Sequence, residues 1–393
     1  MQKNFGLIGK LVLAMVIGAL TGAYAPDCVI RAMNCFSGTF GQFIKFVVPF
    51  IIVGLVTPAI AETGRSAGRL LLLTMGIAYA STLFAGAFAL TVSSTVFPAI
   101  MGGHLDALAS AKNFPAYFVI KIPPVMDVTT ALVTAFIFGL GMEAVQAEPL
   151  RRAFNSLRDV VSLTIQRAVS PLLPVYILAV VADLTASGKL MAIGGPCLKI
   201  MGLAMAVTTT LLVMQYLVAG VLAGRNPFKA LWTMLPAYLT GWGCCSSAAT
   251  IPVSLRQVSA NGVSGETADL VVPLCANVHL AGSMANMVVY TAGFLVLAGQ
   301  AITAGSYVEF IMMVSIVAVA SPGIPGGVVL ASAGIAETAL GFTPERYALV
   351  IATYMALDGM GTACNLTGDG AIALIVDRFR KKLTDRTTES GRP

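Results

Sequence analysis

Between Tyr347 and Val376 the chain reads YALVIATYMALDGMGTACNLTGDGAIALIV, and this stretch decides the fold. About 20 mostly apolar residues suffice for a helix to cross a bilayer, and this stretch exceeds that length. It contains Asp358 and Asp369 with no Lys or Arg between them. A carboxylate near mid-bilayer costs roughly 2.5–3.5 kcal/mol on insertion scales, so an uncompensated pair indicates the path of a cation or substrate. The alternative, a packed polar seam between helices, leaves both charges without a partner.

The polar residues of this stretch share one helix face. Asn365 and Asp369 follow Asp358 by 7 and 11 positions. At about 100° per residue, these offsets place all three within roughly 20° of one direction. Gly361 and Thr362 lie on the same side. The spacing therefore predicts a polar stripe along the last membrane helix.

The composition of the whole chain agrees with a membrane protein. Of 393 residues, 57% are hydrophobic and 11% are charged, and the mean hydropathy is +0.86. A soluble domain has about 25% charged residues, so a soluble globular protein is excluded. Because a helix satisfies its own backbone groups in hydrocarbon, we expect an all-α integral membrane protein of roughly eight to ten membrane elements.

The charge distribution predicts the topology. Most of the 24 basic residues fall on one side of the predicted membrane segments, which by the positive-inside rule puts both termini in the cytoplasm. The net charge of +6 includes no basic stripe interleaved with aromatic residues, so we expect no nucleic-acid partner. The seven cysteines show no metal-binding spacing, and we expect no cofactor. Cys28 and Cys35 fall in one predicted outward loop, where either a disulfide or two separate thiols would fit.

Two apolar segments are interrupted by small residues and proline. The stretch from Leu231 to Leu255 is broken at 241–252, and that from Val308 to Leu340 is broken at 321–327. Such broken segments predict re-entrant hairpins whose tips face a midplane site, with two kinked spans as the alternative. The polar excursion at 102–128 should lie outside. The uninterrupted spans are predicted at 5–24, 40–61, 70–101, 129–145, 160–181 and 201–222.

A further break is predicted just before the second hairpin. Residues 272–283 read VPLCANVHLAGS, with a proline, a glycine and two polar groups near the middle of a span. Unwound backbone at such a point exposes carbonyl groups that can bind a cation. His279 is either a functional group there or a hydrogen-bonded core residue.

Together these segments resemble one family, the dicarboxylate/amino acid:cation symporters. Residues 245–252 resemble the family's Ser-rich hairpin tip, 276–283 its unwound Asn-Met-Asp-Gly-Thr segment, and 321–327 its Gly-Val-Pro-Gly tip. Asp358, Asn365, Gly368 and Asp369 have the spacing of its last-helix motif. The site is most similar to that of the neutral amino acid and serine/threonine members.

The resemblance implies eight transmembrane helices plus two re-entrant hairpins, arranged as inverted repeats in a homotrimer within the lipid of a bacterial inner membrane. Scaffold helices 1, 2, 4 and 5 would occupy residues 1–67 and 102–190. A transport domain of residues 68–101 and 191–393 would carry an amino acid across the membrane by an elevator movement. Na⁺ would be the coupling ion, with H⁺ as the alternative through His279.

The resemblance also implies the site residues. Asp358 matches the ligand for the substrate amino group, and the implied substrate-binding set is Ser246, Ser247, Ser283, Pro325, Asp358, Gly361, Thr362 and Asn365. One sodium site would use Asn365, Asp369 and backbone near Cys275. A second would use backbone carbonyls of Asn277, Ala318, Val319 and Ser321. His279 belongs to the same ion-binding region.

Three departures from the family pattern alter what the resemblance predicts. In the family's unwound segment, Ala281 replaces an aspartate and His279 replaces an asparagine. Tyr79 and Thr82 match part of the outer shell of a third sodium site, but Leu83 stands where a hydroxyl is expected. These replacements argue against that third site. Gly361 replaces the arginine that pairs a side-chain carboxylate in acidic-substrate members. We therefore expect small neutral amino acids as substrates, with acidic amino acids or dicarboxylates as the alternative within the family.

Two other classes compete with a transporter. A membrane-embedded enzyme would use Ser246, Ser247, Cys244 or Cys245 as a nucleophile, but no HExxH, GxSxG or P-loop lysine accompanies them. A channel would use the re-entrant hairpins as a pore lining. Concentrative uptake driven by an ion gradient separates a transporter from both.

Overall fold

The computed structural model describes residues 7–65, 69–101, 113–320 and 326–390, and all regular secondary structure within these ranges is helical. The expected all-α membrane fold is thereby confirmed. By length and composition, four described helices could cross a bilayer, or five if one bent pair counts as a single span. Three shorter apolar helices accompany them, at Leu13–Tyr24, Val133–Met142 and Ala304–Val319. The expected number of eight spans and two hairpins stays a prediction.

The helices of the first half of the chain include two that are much longer than a simple span. The helices are α1 (Leu7–Tyr24), α2 (Asp27–Arg65), α3 (Arg69–Ile100), α4 (Val128–Ala144), α5 (Glu148–Thr164) and α6 (Ser170–Ala186). A π-helix at Ile165–Val169 separates α5 from α6.

The second half begins with one long helix, continues with shorter helices and ends with the longest helix of the chain. These are α7 (Lys189–Ala223), α8 (Pro227–Thr233), α9 (Leu235–Cys244), α10 (Ser247–Ala260), α11 (Gly265–Val278), α12 (Ala281–Leu297), α13 (Ala304–Ala320), α14 (Gly327–Ala331), α15 (Ala333–Leu340) and α16 (Pro344–Ser390).

The loop predicted around Cys28 and Cys35 is wrong, because α2 begins at Asp27 and contains both cysteines. Asp27 favours this helix start because a carboxylate in the first turn interacts well with the helix dipole. Residues seven positions apart on a helix are separated by about 10 Å, which exceeds the Cα separation of a disulfide. Both cysteines are free thiols, which excludes the disulfide alternative.

The span predicted at 160–181 is also interrupted. The segments Glu148–Val169 and Pro171–Ala186 meet at an angle of 45°, with the π-helix just before the bend. Pro171 lies at the first turn of α6, where its missing N–H costs least. The preceding helix α5 is amphipathic and carries Arg151, Arg152 and Arg158, which is typical of a helix end near the membrane surface.

The structure forms both interruptions that the sequence predicts as hairpins. Helix α9 ends at Cys244, the next residue Cys245 has a left-handed φ of 50°, and α10 packs back against α9. Helix α13 is likewise packed by α14 and α15. Gly326 has a φ of 76°, and a Cβ there would lie 2.2 Å from Sδ of Met355, so the position requires glycine. Residues 321–325 at this second tip lie outside the described residues.

The predicted break before the second hairpin is present. Helix α11 ends at Val278 and α12 begins at Ala281, with His279 in an extended conformation between them. Helix α12 is buried on nearly every side. This break therefore lies in the interior of the protein, where its exposed backbone groups can contact other elements.

Two groups of helices account for most of the packing. Helices α4, α5 and α6 pack on α2, and α1 packs closely on α6. A Cβ at Gly18 or Gly22 of α1 would lie within 2.6 Å of the carbonyl oxygens of Leu178 or Ala182 on α6, so these glycines allow the close approach. In the second group, α3, α7, α9, α11 and α12 all contact α16. The polar stripe of α16 is therefore at the centre of this group.

Candidate functional site

The polar stripe of α16 borders a small cavity near the two hairpin tips and the α11–α12 break. Its volume is about 50 Å³, enough for a few water molecules. Elements from five parts of the chain meet there, as the sequence predicts. The predicted site residues that line it are Ser247, Asn277, Ser283, Ala318, Asp358, Thr362 and Asn365.

Asp358 is buried at this cavity and connects α16 to the second hairpin. Its Oδ2 accepts a hydrogen bond from the backbone N–H of Gly326 at 2.8 Å, just before α14 begins. The hydroxyl of Tyr354, one turn earlier on α16, also interacts with it, and Tyr354 contacts Ser283 of α12. A buried carboxylate with polar neighbours, beside a small cavity, is suited to binding an ammonium group.

The side chain of Asn365 forms hydrogen bonds with the first turn of α12. Its Oδ1 accepts hydrogen bonds from the backbone N–H groups of Gly282 at 2.7 Å and Ser283 at 3.3 Å. Its Nδ2 donates to Oγ of Ser283 at 2.9 Å. The first N–H groups of a helix have no partner within the helix, so the amide supplies it. The role of Asn365 as a sodium ligand stays a prediction, since its side-chain oxygen is committed to these two bonds here.

Asp369 is fully buried and paired with His279 of the break. Its Oδ1 lies 2.9 Å from Nδ1 of His279, which is also fully buried. On the other side of the ring, Nε2 lies 3.1 Å from Oγ of Ser81 and 3.2 Å from Nε2 of Gln215. Gln215 also donates to Ser81 at 3.0 Å. The predicted break thus brings a histidine ring against the carboxylate that the sequence assigns to a cation.

The other oxygen of this carboxylate, Oδ2 of Asp369, has no hydrogen-bond partner among the described residues, and neither has Oε1 of Gln215. A buried polar atom without a partner carries a desolvation cost of about 1–3 kcal/mol, and more if it is charged. Carboxylate and amide oxygens are hard ligands that suit a small cation. The arrangement is therefore compatible with a cation beside Asp369, even though His279 occupies one side of it.

Sequence reasoning missed Ser81 and Gln215 as members of this cluster. Gln215 lies inside the apolar stretch at 201–222, and a polar side chain within a membrane segment indicates function or a partner in the bundle. That signal was present for Gln215. Ser81 gives no comparable signal, since serine also occurs at ordinary helix contacts in membranes.

Tyr79 and Thr82, which match part of the outer shell of the family's third sodium site, make contacts within the protein. The hydroxyl of Tyr79 lies 3.0 Å from Oγ of Ser315, and Oγ1 of Thr82 accepts the N–H of Leu280 at 3.2 Å. Ala281 offers no carboxylate at this place. Thr82 therefore serves the α11–α12 break in this structure.

The remaining predicted ion ligands are only partly described. The carbonyl of Cys275 accepts the N–H of His279 at 2.8 Å, and the side chain of Asn277 donates to the carbonyl of Pro273 at 3.1 Å. Ala318 and Val319 lie in the last turn of α13. Ser321 and Pro325 lie outside the described residues, and so the second sodium site stays a prediction.

Two predicted substrate residues, Ser246 and Gly361, do not line the cavity but adjoin lining residues in the chain. Ser246 lies in the turn of the first hairpin, and its carbonyl accepts the hydroxyl of Thr250 at 3.0 Å. Gly361 lies on α16 between Asp358 and Thr362, where it faces Ser283 and Asn286 of α12. Because residue 361 has no side chain, it places no positive charge where α16 contacts α12.

Comparison with known proteins gives concordant matches over most of the chain. Residues 7–379 match the profile of the Sodium:dicarboxylate symporter family. The serine/threonine transporter SstT of Streptococcus thermophilus is 25% identical over 340 residues, which cover 82% of this chain and 83% of the relative. SstT of Acinetobacter baumannii is 24% identical over 396 residues, which cover 95% of this chain and 97% of the relative.

Proposed function

We propose, from the premise that this chain belongs to the sodium:dicarboxylate symporter family, that it imports small neutral amino acids by cation symport. Membership makes it a multi-pass membrane transporter and not an enzyme. Serine, threonine and alanine are the substrates that we propose. The names of its relatives, which are serine/threonine transporters, support this choice.

The substrate assignment rests on one observation: an aspartate at position 358 occurs together with a glycine at position 361. Asp358 supplies a buried negative charge for the substrate's ammonium group. Gly361, three residues later, supplies no positive charge for a second carboxylate. Placing such a carboxylate in a dehydrated pocket costs several kcal/mol, on the order of the penalty for a buried unpaired ion. An acidic amino acid is therefore disfavoured, and a small neutral one is not.

We propose Na⁺ as the coupling ion, bound at Asp369 and near Asn365. The unpartnered Oδ2 of Asp369 supports a cation there. With Ala281 in place of the family's aspartate, fewer sodium ions should move per cycle than in the aspartate transporters. H⁺ is the second candidate, because Nδ1 of His279 lies 2.9 Å from the same carboxylate and an imidazole can carry a proton in place of a sodium ion.

We propose that the two packing groups move against each other. Helices α1, α2 and α4–α6 would form a scaffold, and the helices around α16, with both hairpins, a transport domain that moves like an elevator. The packing of α16 against α3, α7, α9, α11 and α12 supports the division. We expect a homotrimer held by the scaffold in the lipid of a bacterial plasma membrane.

Uptake into proteoliposomes tests this function. Labelled serine, threonine, alanine, aspartate and succinate are offered while sodium and proton gradients are imposed separately. We expect concentrative uptake of the three neutral amino acids with an inward sodium gradient. Uptake that only equilibrates, without accumulation, would indicate a channel, and accumulation of aspartate or succinate instead would overturn the substrate assignment.

The proposed topology puts both termini in the cytoplasm and the 102–128 excursion outside. Lys112 lies outside the described residues, so the label belongs at Lys121, which is exposed. In a Cys28→Ser background, we expect Lys121→Cys to react with a membrane-impermeant maleimide in intact cells. Arg378→Cys, on the exposed part of α16, should react only after lysis. Labelling of both from the same side would contradict this topology.

A further inference from the structure

A second set of unpartnered polar groups lies in the seam between α12 and α16, outside the residues assigned above. Asn286 is 1% exposed, and neither its Nδ2 nor its Oδ1 has a hydrogen-bond partner among the described residues. Buried amides are nearly always hydrogen-bonded, so an amide with both ends unpaired requires an explanation. Asn286 follows the cavity residue Ser283 by three positions and so lies on the same face of α12.

Gly361 is what allows this amide to lie against α16. A Cβ built at Gly361 would lie 3.0 Å from Nδ2 of Asn286, closer than the ordinary van der Waals separation. The amide therefore lies directly against the place where a side chain at 361 would begin. Asp358 lies one turn away from Gly361 on the same helix, next to the position proposed for the substrate's ammonium group.

The next turn of α12 carries another unpartnered group. The hydroxyl of Tyr290 is buried and has no partner in the described part of the chain. Its ring packs edge-on against Tyr354, at 6.1 Å between centroids, and Tyr354 interacts with Asp358. The unsatisfied groups of α12 thus lie along the same seam as the proposed ammonium ligand.

We propose that Asn286 is a specificity-determining residue that hydrogen-bonds the side-chain hydroxyl of serine or threonine. This inference rests on the proposed transport of small neutral amino acids. A carboxamide offers both a donor and an acceptor, which matches a hydroxyl group, and it carries no charge that would attract a second carboxylate. A site that pairs a substrate hydroxyl discriminates against the analogue that lacks it, because its own polar group is then left unpaired. Alanine is that analogue.

The test compares substrates that differ by the hydroxyl alone. In proteoliposomes, Asn286→Leu keeps the approximate shape and removes the hydrogen-bonding groups. We expect the concentrations of serine and threonine that half-inhibit uptake of labelled alanine to rise by about tenfold, as for the loss of one buried hydrogen bond. The half-saturating concentration of alanine should stay unchanged.

Two further variants make this result interpretable. Thr291→Val removes a buried hydroxyl on the same helix that already bonds the carbonyl of Met287, and it should leave the ratio of serine to alanine unchanged. Gly361→Ala places a methyl group against the Asn286 amide and should weaken the binding of serine more than that of alanine. This variant tests the proposal even if Asn286→Leu fails to fold.

Equal changes for serine and alanine, or no change in Asn286→Leu, would overturn the role of Asn286 and leave the proposed function intact. If the unaltered protein takes up neither serine nor alanine, the proposed function itself is wrong, and this inference is wrong with it.

Discussion

Asp369→Asn is expected to abolish ion-driven uptake in a protein that still assembles. The substitution keeps the size of the side chain and removes a negative charge that is fully buried and faces His279 at 2.9 Å. In binding sites, removing one partner of a buried, hydrogen-bonded charge pair costs about 2–5 kcal/mol of binding free energy, which corresponds to a factor of roughly 30 or more in ion affinity. Uptake of labelled serine under an imposed sodium gradient, at equal reconstituted protein, measures the loss.

Asp377→Asn is the matched control for this prediction. Asp377 lies on the same helix and is also buried, but its Oδ1 accepts hydrogen bonds from Ser264 and Thr267 away from the cavity. We expect Asp377→Asn to affect stability and to retain ion-driven uptake. Full sodium-driven transport by Asp369→Asn would refute the assignment of Asp369.

The same assay separates the two coupling ions when His279→Asn is added. If a proton is the coupling ion, uptake in the unaltered protein follows an inward proton gradient, shows no sodium dependence, and loses its pH dependence in His279→Asn. Under sodium coupling, uptake follows the sodium gradient and persists without a proton gradient.

Gly361→Arg is expected to exchange the substrate class. The new guanidinium group would supply the counter-charge that a side-chain carboxylate lacks in the unaltered protein, and it would fill space next to the position proposed for serine. Because an unpaired buried carboxylate costs several kcal/mol, on the order of 100-fold in affinity, the unaltered protein should discriminate against aspartate by about that factor. The variant should gain aspartate binding and lose serine uptake.

Gly361→Met provides the matched control for the charge. It adds a side chain of similar length without a guanidinium group, and it meets the same crowding at Asn286. Serine uptake should fall in both variants. Only Gly361→Arg should bind aspartate, which is measured as uptake of labelled aspartate that unlabelled aspartate inhibits. Inhibition of the unaltered protein by aspartate or succinate at the concentrations at which serine competes would contradict the substrate assignment.

Several features of the fold could be predicted from local chemistry. Proline and glycine disfavour a continuous helix, and the interruptions at Cys245 and His279 fall within the two stretches that contain them. The exact break points were not predictable, because Pro252 and Pro273 themselves lie inside helices. The start of α2 at Asp27 was not predictable from apolar content, since the first turns of that helix are polar and extend beyond the apolar stretch. The bend before α6 follows a π-helix, for which the sequence contains no simple signal, and it precedes Pro171, which was a signal in the sequence.

Prediction of the site from the sequence has the same limit, because local spacing can be predicted and contacts between distant residues cannot. The spacing of Asp358, Asn365 and Asp369 predicts a shared helix face, because the three residues lie on one helix. The contact between His279 and Asp369 joins positions that are 90 residues apart, and only the packing of α11 and α12 on α16 brings them together. The unpartnered amide of Asn286 was equally invisible, since an asparagine in a sequence does not show whether its hydrogen bonds are satisfied.

The central position of α16 also has a consequence for biogenesis. A ribosome makes this helix after α3, α7 and α12, so these three enter the membrane before the element that they surround exists. Until α16 arrives, the polar groups of α12 face lipid or the translocation machinery without their final neighbours. A chain that stalls after α15 therefore exposes groups that membrane quality control can recognise, and only a chain that includes α16 can bury them.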